Sequence, residues 1–311
     1  MSVEVITGNH AAGYALSAAG EANRTARGVA CGIYPITPQT EIVEYVAKFP
    51  FSKGSVVPVE SEHSAMAVSM GAAISGARAF TASSANGLAY MAENIMVAGY
   101  YRLPIVMVAV NRTLGPPWNI WADQGDSLAL RDFAWLQFYC ETNQEVLDTT
   151  LLAFRLAEDK RILLPVMICM DAFIVSHTQS ETSLPEQADV DRFLPDLDLP
   201  HRMHHDEART LGGLAWPHEG LASRLEIDEA MKRVPDVYDE CRTAFEDTFG
   251  RDPGAAVQTF DTYDADVVLV ASGTMATTAR EVVRKRRQAG EKIGLVKLKM
   301  YRPFPAERLR Q

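Results

Sequence analysis

Apolar residues along this chain come in short, near-continuous runs separated by stretches with helical periodicity. GVACGIYP (28–35), SVVPVE (55–60), ARAFTAS (77–83) and LPIVMVAV (103–110) read as strands buried on both faces. WLQFYCE (135–141) and LLPVMICMD (163–171) continue the series. Between them the spacing predicts helices: one from about His10 with Asn9 as its cap, one from Gln39, then 61–76, 86–100 and about 143–158. Strands and helices in this alternation predict an α/β fold with a parallel sheet covered on both faces. The small residues of 61–76, with Gly71 and Gly76, read first as close packing within the domain.

The alternation breaks down between about 176 and 262. Prolines, acidic residues and HRMHHDEART (201–210) predict an extended connector with one long helix near 226–248. A connector of that length joins two domains or wraps a partner. A second α/β unit follows, with strand DADVVLVAS (264–272), helix TMATTAREVVRKRRQAG (274–290), strand KIGLVKLKM (292–300) and the start of a helix in RPFPAERLRQ (302–311). One βαβ unit is too little for an independent sheet, so we expect this second domain to be incomplete. The predicted organisation is 1–175, a connector over 176–262, and 263–311.

In open α/β sheets, ligands sit beyond the carboxyl ends of the strands. Polar residues gather at four such ends here: Thr37; Glu60 and Glu62; Ser83, Ser84 and Asn86; and Asn111 with Arg112. The prolines of YPITPQT (34–40) fix Thr37 on a rigid corner. Arg112 suits a carboxylate or phosphate, although an ion pair with Asp123, Asp126 or Asp132 would also account for it. Glu62 could cap its helix, but two glutamates two residues apart cannot both be caps, so one could be held inward. GPPWNIWADQGDSLALRD (115–132) reads as a substrate lid or a subunit contact, with Trp118 and Trp121 as possible interface anchors. His201, His204 and His205 could ligate a metal, though a solvated loop is the plainer reading, and no metal site is expected. Neither nucleotide-binding glycine fingerprint nor a Ser/His/Asp arrangement is present by spacing.

Bulk properties narrow the class. The chain has 311 residues, 47% apolar and 23% charged, within the range of ordinary globular proteins. A formal charge of −10 disfavours a general nucleic-acid role. No run nears the roughly 18 apolar residues of a membrane span, and the N-terminus lacks a basic segment with an apolar core, so the cytoplasm is expected. Four dispersed cysteines without a C-x-x-C pair leave this chain no iron–sulfur or structural zinc site, and buried reduced thiols are the default.

YPITPQT, VESEHSAMAVSMGAAISGARAFTASS, LPIVMVAVNR, DSLALRDFAWLQFYCETNQEVLD and GLVKLKMYRPFP, in this order and over nearly the whole chain, resemble the α subunit of 2-oxoacid:ferredoxin oxidoreductases, the pyruvate synthase type being best known. The resemblance implies a thiamine-diphosphate-binding, pyrimidine-type domain over 1–175 and a partial transketolase-C-terminal-like domain over 263–311. It implies oxidative decarboxylation of a 2-oxoacid, pyruvate first, to acyl-CoA and CO2, with coenzyme A as co-substrate. Carried over residue by residue, the glutamate that contacts the cofactor's pyrimidine falls on Glu62, the substrate threonine on Thr37 and the substrate arginine on Arg112. Ser83 and Asn86 join Glu62 as candidate cofactor-binding residues.

The chain has no Gly-Asp-Gly…Asn motif and no cluster ligands. In the family, a β subunit holds the diphosphate and Mg. Gamma and ferredoxin-like subunits carry [4Fe–4S] clusters and pass electrons to ferredoxin or another carrier. The chain is therefore expected to be half of an active site, inert without partners and not associated with nucleic acid or membrane. Asn86, where typical pyruvate enzymes have glutamine, and the aromatic TLGPPWNIWADQGD segment (113–126) keep an aromatic (phenylglyoxylate-like), branched-chain or dicarboxylic 2-oxoacid open. A transketolase-like or decarboxylating transferase that uses no clusters and a non-catalytic scaffold subunit are the remaining alternatives.

Overall fold

The computed structural model of the chain describes residues 2–206 and 210–310. It begins with β1 (Ser2–Thr7) and α1 (Gly8–Glu21), followed by β2 (Val29–Ile33), α2 (Thr40–Lys48), β3 (Gly54–Pro58), α3 (Glu62–Ile74) and β4 (Arg78–Ser83). Next come α4 (Ala85–Tyr90), α5 (Ala92–Tyr100), β5 (Ile105–Asn111), α6 (Gly125–Leu128), β6 (Leu136–Cys140), α7 (Asn143–Glu158) and β7 (Val166–Asp171). Then follow β8 (Gln179–Leu184), α8 (Gln187–Phe193), α9 (Pro217–Phe249), β9 (Val257–Phe260) and β10 (Val267–Ala271). The last elements are α10 (Thr274–Gln288), β11 (Ile293–Leu298), β12 (Met300–Arg302) and α11 (Ala306–Arg310).

The main sheet has seven strands in the order β12-β6-β7-β5-β4-β2-β3, all parallel except β12, which runs antiparallel to β6. Every residue of β4, β5, β6 and β7 is buried, which explains their unbroken apolar runs. The strand period of two divides the core. Val106, Val108 and Val110 of β5 pack towards α1 and α7, whereas Ile105, Met107 and Ala109 pack towards α3 and α5. The chain is thus an α/β protein built on a mainly parallel, doubly covered sheet.

Asn9 does not cap α1, contrary to expectation. The Thr7 hydroxyl accepts from the His10 N–H, and Asn9 lies inside the helix, donating its amide to the Pro38 carbonyl at 2.8 Å. Residues 86–100 form two helices rather than one, broken at Met91. The segment after β7 is more structured than its composition suggests. β8 pairs antiparallel with β1, and α8 and the 33-residue α9 lie against the main core through Phe193, Phe245 and Phe249. α9 begins at Pro217, well before the expected 226, and ends at Gly250, whose φ of 68° is the left-handed conformation common just past a helix end.

The C-terminal region forms a three-stranded sheet, β10-β11-β9, with β10 parallel and β9 antiparallel to β11. Its attachment to the first sheet is ionic as well as through β12. Buried Lys297 bonds Glu141 at 2.8 Å and Glu145 at 2.7 Å, and Arg280 bonds Glu141 at 2.6 Å. At the neighbouring strand end, the N–H of Thr274, first residue of α10, donates to Asp171 at 2.9 Å.

Candidate functional site

The exits of β3, β2, β4 and β5 are neighbours along one sheet edge, so Glu62, Thr37, Ser83, Asn86 and Arg112 share that edge. Glu62 opens α3, but it does not cap it. The Ser61 hydroxyl accepts from the Ser64 N–H at 3.2 Å, and exposed Glu60 bonds the Ser64 hydroxyl. Glu62 is the inward carboxylate, 7% exposed, and no hydrogen bond or ion pair to it is found among the described residues.

β4 delivers Ser83 into the same space. A Cβ at Gly87 would stand 2.4 Å from Ser83 Oγ and 2.7 Å from Glu62 Oε1, so these three residues meet. The Ser83 hydroxyl is fully buried and has no hydrogen-bond partner among the described residues. Asn86 sits half-buried in the first turn of α4, which Ala85 opens with a φ of 42°.

Arg112 leaves β5 8% exposed, with its Nε buried and without a partner among the described residues. None of the three carboxylates weighed for it pairs with its guanidinium. Asp123 accepts from Gly125 N, Asp132 lies 3.9 Å from Arg131, and Asp126 takes the backbone N–H of Arg112 at 3.2 Å. Thr37 is exposed on the turn after β2, and no hydrogen bond joins it to Glu62 or Arg112 among the described residues. Its corner is held from below, where the Gln39 side chain donates to Tyr34 O and Asn9 to Pro38 O, each at 2.8 Å.

The 113–124 segment rims this edge. Trp118 is 67% and Trp121 61% exposed, and Gln124 tethers the segment to Asp171 at 3.2 Å. His204, His205 and Asp206 could bring ligand atoms within 4.8 Å of one another, on a surface loop and without His201. All four cysteines are buried and free, and burial pushes the Cys31, Cys140 and Cys241 thiols up to about 12. Sequence reasoning missed Gly87 and the place of Asp126, which accepts backbone N–H groups from both the β4 and β5 exits. Only the fold brings those donors together, so spacing carried no signal for it.

The edge therefore holds a buried carboxylate and a buried guanidinium, neither neutralised among the described residues, with an unpartnered hydroxyl beside the carboxylate. Such a set can bind a polar heterocycle and an anion side by side.

The sequence profile described as pyruvate flavodoxin/ferredoxin oxidoreductase, thiamine diphosphate-binding, matches residues 21–243, and that of pyruvate:ferredoxin oxidoreductase core domain II matches 265–311. The chain is 42% identical to pyruvate synthase subunit PorA of Methanothermobacter thermautotrophicus, over 100% of this chain and 80% of that one. It is 42% identical to PorA of Pyrococcus furiosus, over 94% and 75%. It is also 42% identical to ketoisovalerate oxidoreductase subunit VorA of Pyrococcus horikoshii, over 98% and 76%. In structure it resembles a 2-oxoglutarate:ferredoxin oxidoreductase from Magnetococcus marinus with a TM-score of 0.76 and 21% identity, covering 99% of this chain and 55% of that one. A split-gene transketolase matches at 0.53 and 16% identity, covering 99% and 76%; both likenesses concern the fold alone. With its profile matched over most of its length and relatives alike across nearly all of it, the chain belongs to the pyruvate flavodoxin/ferredoxin oxidoreductase family.

Proposed function

We propose that this chain is the subunit of a 2-oxoacid:ferredoxin oxidoreductase that holds the pyrimidine end of thiamine diphosphate and the 2-oxoacid. The observation that carries this reading is a pair of opposite charges, Glu62 and Arg112, buried at one sheet edge and bonded neither to each other nor to any described residue. Buried charges left unpaired are costly unless a ligand completes them.

The residues fit the cofactor. The absence of a side chain at Gly87 lets the Glu62 carboxylate and the Ser83 hydroxyl lie together, and that hydroxyl has no hydrogen-bond partner among the described residues. When bound, thiamine diphosphate supplies an electron sink for decarboxylation. Glu62 would share a proton with the pyrimidine ring nitrogen, while Ser83 and Asn86 would orient the ring. Arg112 would neutralise the substrate carboxylate through its fork, and Thr37 would bond the substrate's oxygens from its exposed corner. Overall, 2-oxoacid and coenzyme A would give acyl-CoA, CO2, one proton and two electrons. Partner subunits would supply the diphosphate and Mg site and the iron–sulfur clusters that carry the electrons to ferredoxin.

Pyruvate is the substrate we assign first. A branched-chain 2-oxoacid is the second reading, because the chain is as similar to a VorA as to a PorA, 42% in each case. The test is to purify the complex with its partner subunits and screen pyruvate, 2-oxoisovalerate, 2-oxoglutarate and phenylglyoxylate with coenzyme A and a viologen dye. Reduction with pyruvate supports the first assignment and preference for 2-oxoisovalerate the second. No dye reduction with any of them overturns the proposal.

A further inference from the structure

Asp126 is 1% exposed and lies between the exits of β4 and β5. Its Oδ1 accepts from Asn111 Nδ2 at 2.7 Å and from its neighbour's Ser127 N at 2.8 Å. Its Oδ2 accepts from Ala85 N at 2.9 Å and Arg112 N at 3.2 Å. No lysine, arginine or histidine side chain forms an ion pair with it among the described residues, so its charge is held by N–H dipoles alone.

Both Oδ2 donors matter to the site. Ala85 has a φ of 42°, a backbone conformation that non-glycine residues avoid, and its N–H is bonded to Asp126. That turn carries Asn86 and sets Gly87 against Glu62. The other donor is the backbone of Arg112 itself.

We infer that Asp126 is a positioning residue, whose ionised carboxylate locks the 83–87 turn to the root of Arg112 and so fixes the spacing between the groups that would hold the cofactor ring and the 2-oxoacid carboxylate. The inference rests on the roles proposed for Glu62 and Arg112. The charge is essential because all four partners donate. With the Asn111 amide donating as it does here, a protonated carboxyl, or an amide in place of Asp126, puts a hydrogen against a donor.

Burial pushes this carboxyl up to about 6, against the opposing effect of the Asn111 and backbone hydrogen bonds. Other ionisable groups face it from three strands: Tyr139 on β6, Cys169 on β7 and Arg112 at the end of β5. Burial raises both Tyr139 and Cys169, so they stay neutral in the acid range.

The test uses Asp126→Asn in the complex assembled with its partner subunits. We expect native subunit composition and circular dichroism, with KM for the 2-oxoacid raised about 10- to 100-fold and a matching rise in the thiamine diphosphate needed for half-saturation. A packing role alone would lower stability without moving either quantity, and wild-type values of both in an intact complex overturn the inference. Should the variant fail to assemble, the wild-type pH profile decides. KM should climb about tenfold per pH unit below about 6, and a flat KM from about pH 7 to 5 overturns the inference. A wild-type complex that turns over no 2-oxoacid is a separate result, removing the functional proposal and this inference with it.

Discussion

Glu62 and Gly87 are complementary: the carboxylate of one fills the space that a side chain on the other would take, with Oε1 only 2.7 Å from the position of a Cβ. Gly87→Ala should therefore displace Glu62 and Ser83 without breaking the fold, since the nearest atoms belong to side chains. Turnover of the assembled complex should fall about 10- to 100-fold. Unchanged turnover would show that the Glu62 position is not critical.

Glu62→Gln keeps the shape and removes the charge. With no protein partner to lose among the described residues, the fold should tolerate it, and the complex should assemble but not turn over. Near-normal activity would refute the role given to Glu62.

Arg112→Ala should act mainly on KM for the 2-oxoacid, by roughly 2–5 kcal/mol of lost charge-paired binding. Arg112→Lys should recover only part, because a single ammonium cannot reproduce a bidentate fork. Steady-state kinetics on both variants settle this, and an unaltered KM in Arg112→Ala counts against a carboxylate contact.

Asp126 should give an unusual acid response. Its folded value of about 6 lies above the ordinary 3.8, so the folded state takes up the proton first. Its contribution to stability therefore rises as pH falls from 6 towards 4, opposite to a salt-bridged carboxylate. Urea midpoints of wild type and Asp126→Asn at pH 7 and 5 check the sign: the difference should move in favour of wild type on acidification.

Much of this was legible in the sequence. The strand–helix alternation is strong because the central strands are buried on both faces, and the helix expected over 143–158 is Asn143–Glu158. The inward placement of one of two glutamates at the β3 exit also followed from local chemistry, because a helix start needs only one cap. Less local features were hidden. The ribbon joining Ser2–Thr7 to Gln179–Leu184 pairs distant segments, and the second, QSETSL, has the composition of a loop. The first turns of α9 are polar and exposed, so no apolar period marked them. Asp126 acts through donors at Ala85 and Asn111 that only folding brings near. Arg112 was ambiguous in sequence with three acids close by, and geometry alone separates its guanidinium from all three.

The buried cluster beneath β11 makes a further prediction. Glu145→Ala would leave Lys297 and Lys299 buried without their shared carboxylate, at 2.7 and 3.6 Å in the native chain. The expected loss is about 3–5 kcal/mol, read as a drop in the thermal midpoint. A midpoint within a degree or so of wild type would show that water reaches these lysines.

That cluster, with β12 lying along β6, also decides what happens when the backbone is cut. The most accessible stretch leading into α9 includes Leu214, which is 104% exposed, and Trp216 at 71%, so a protease should nick the chain there first. The two fragments should nevertheless co-elute as one particle, because a strand contributed to the main sheet and a set of buried charges hold them together. The polypeptide is continuous through this stretch, yet its continuity there is not what joins the C-terminal region to the body.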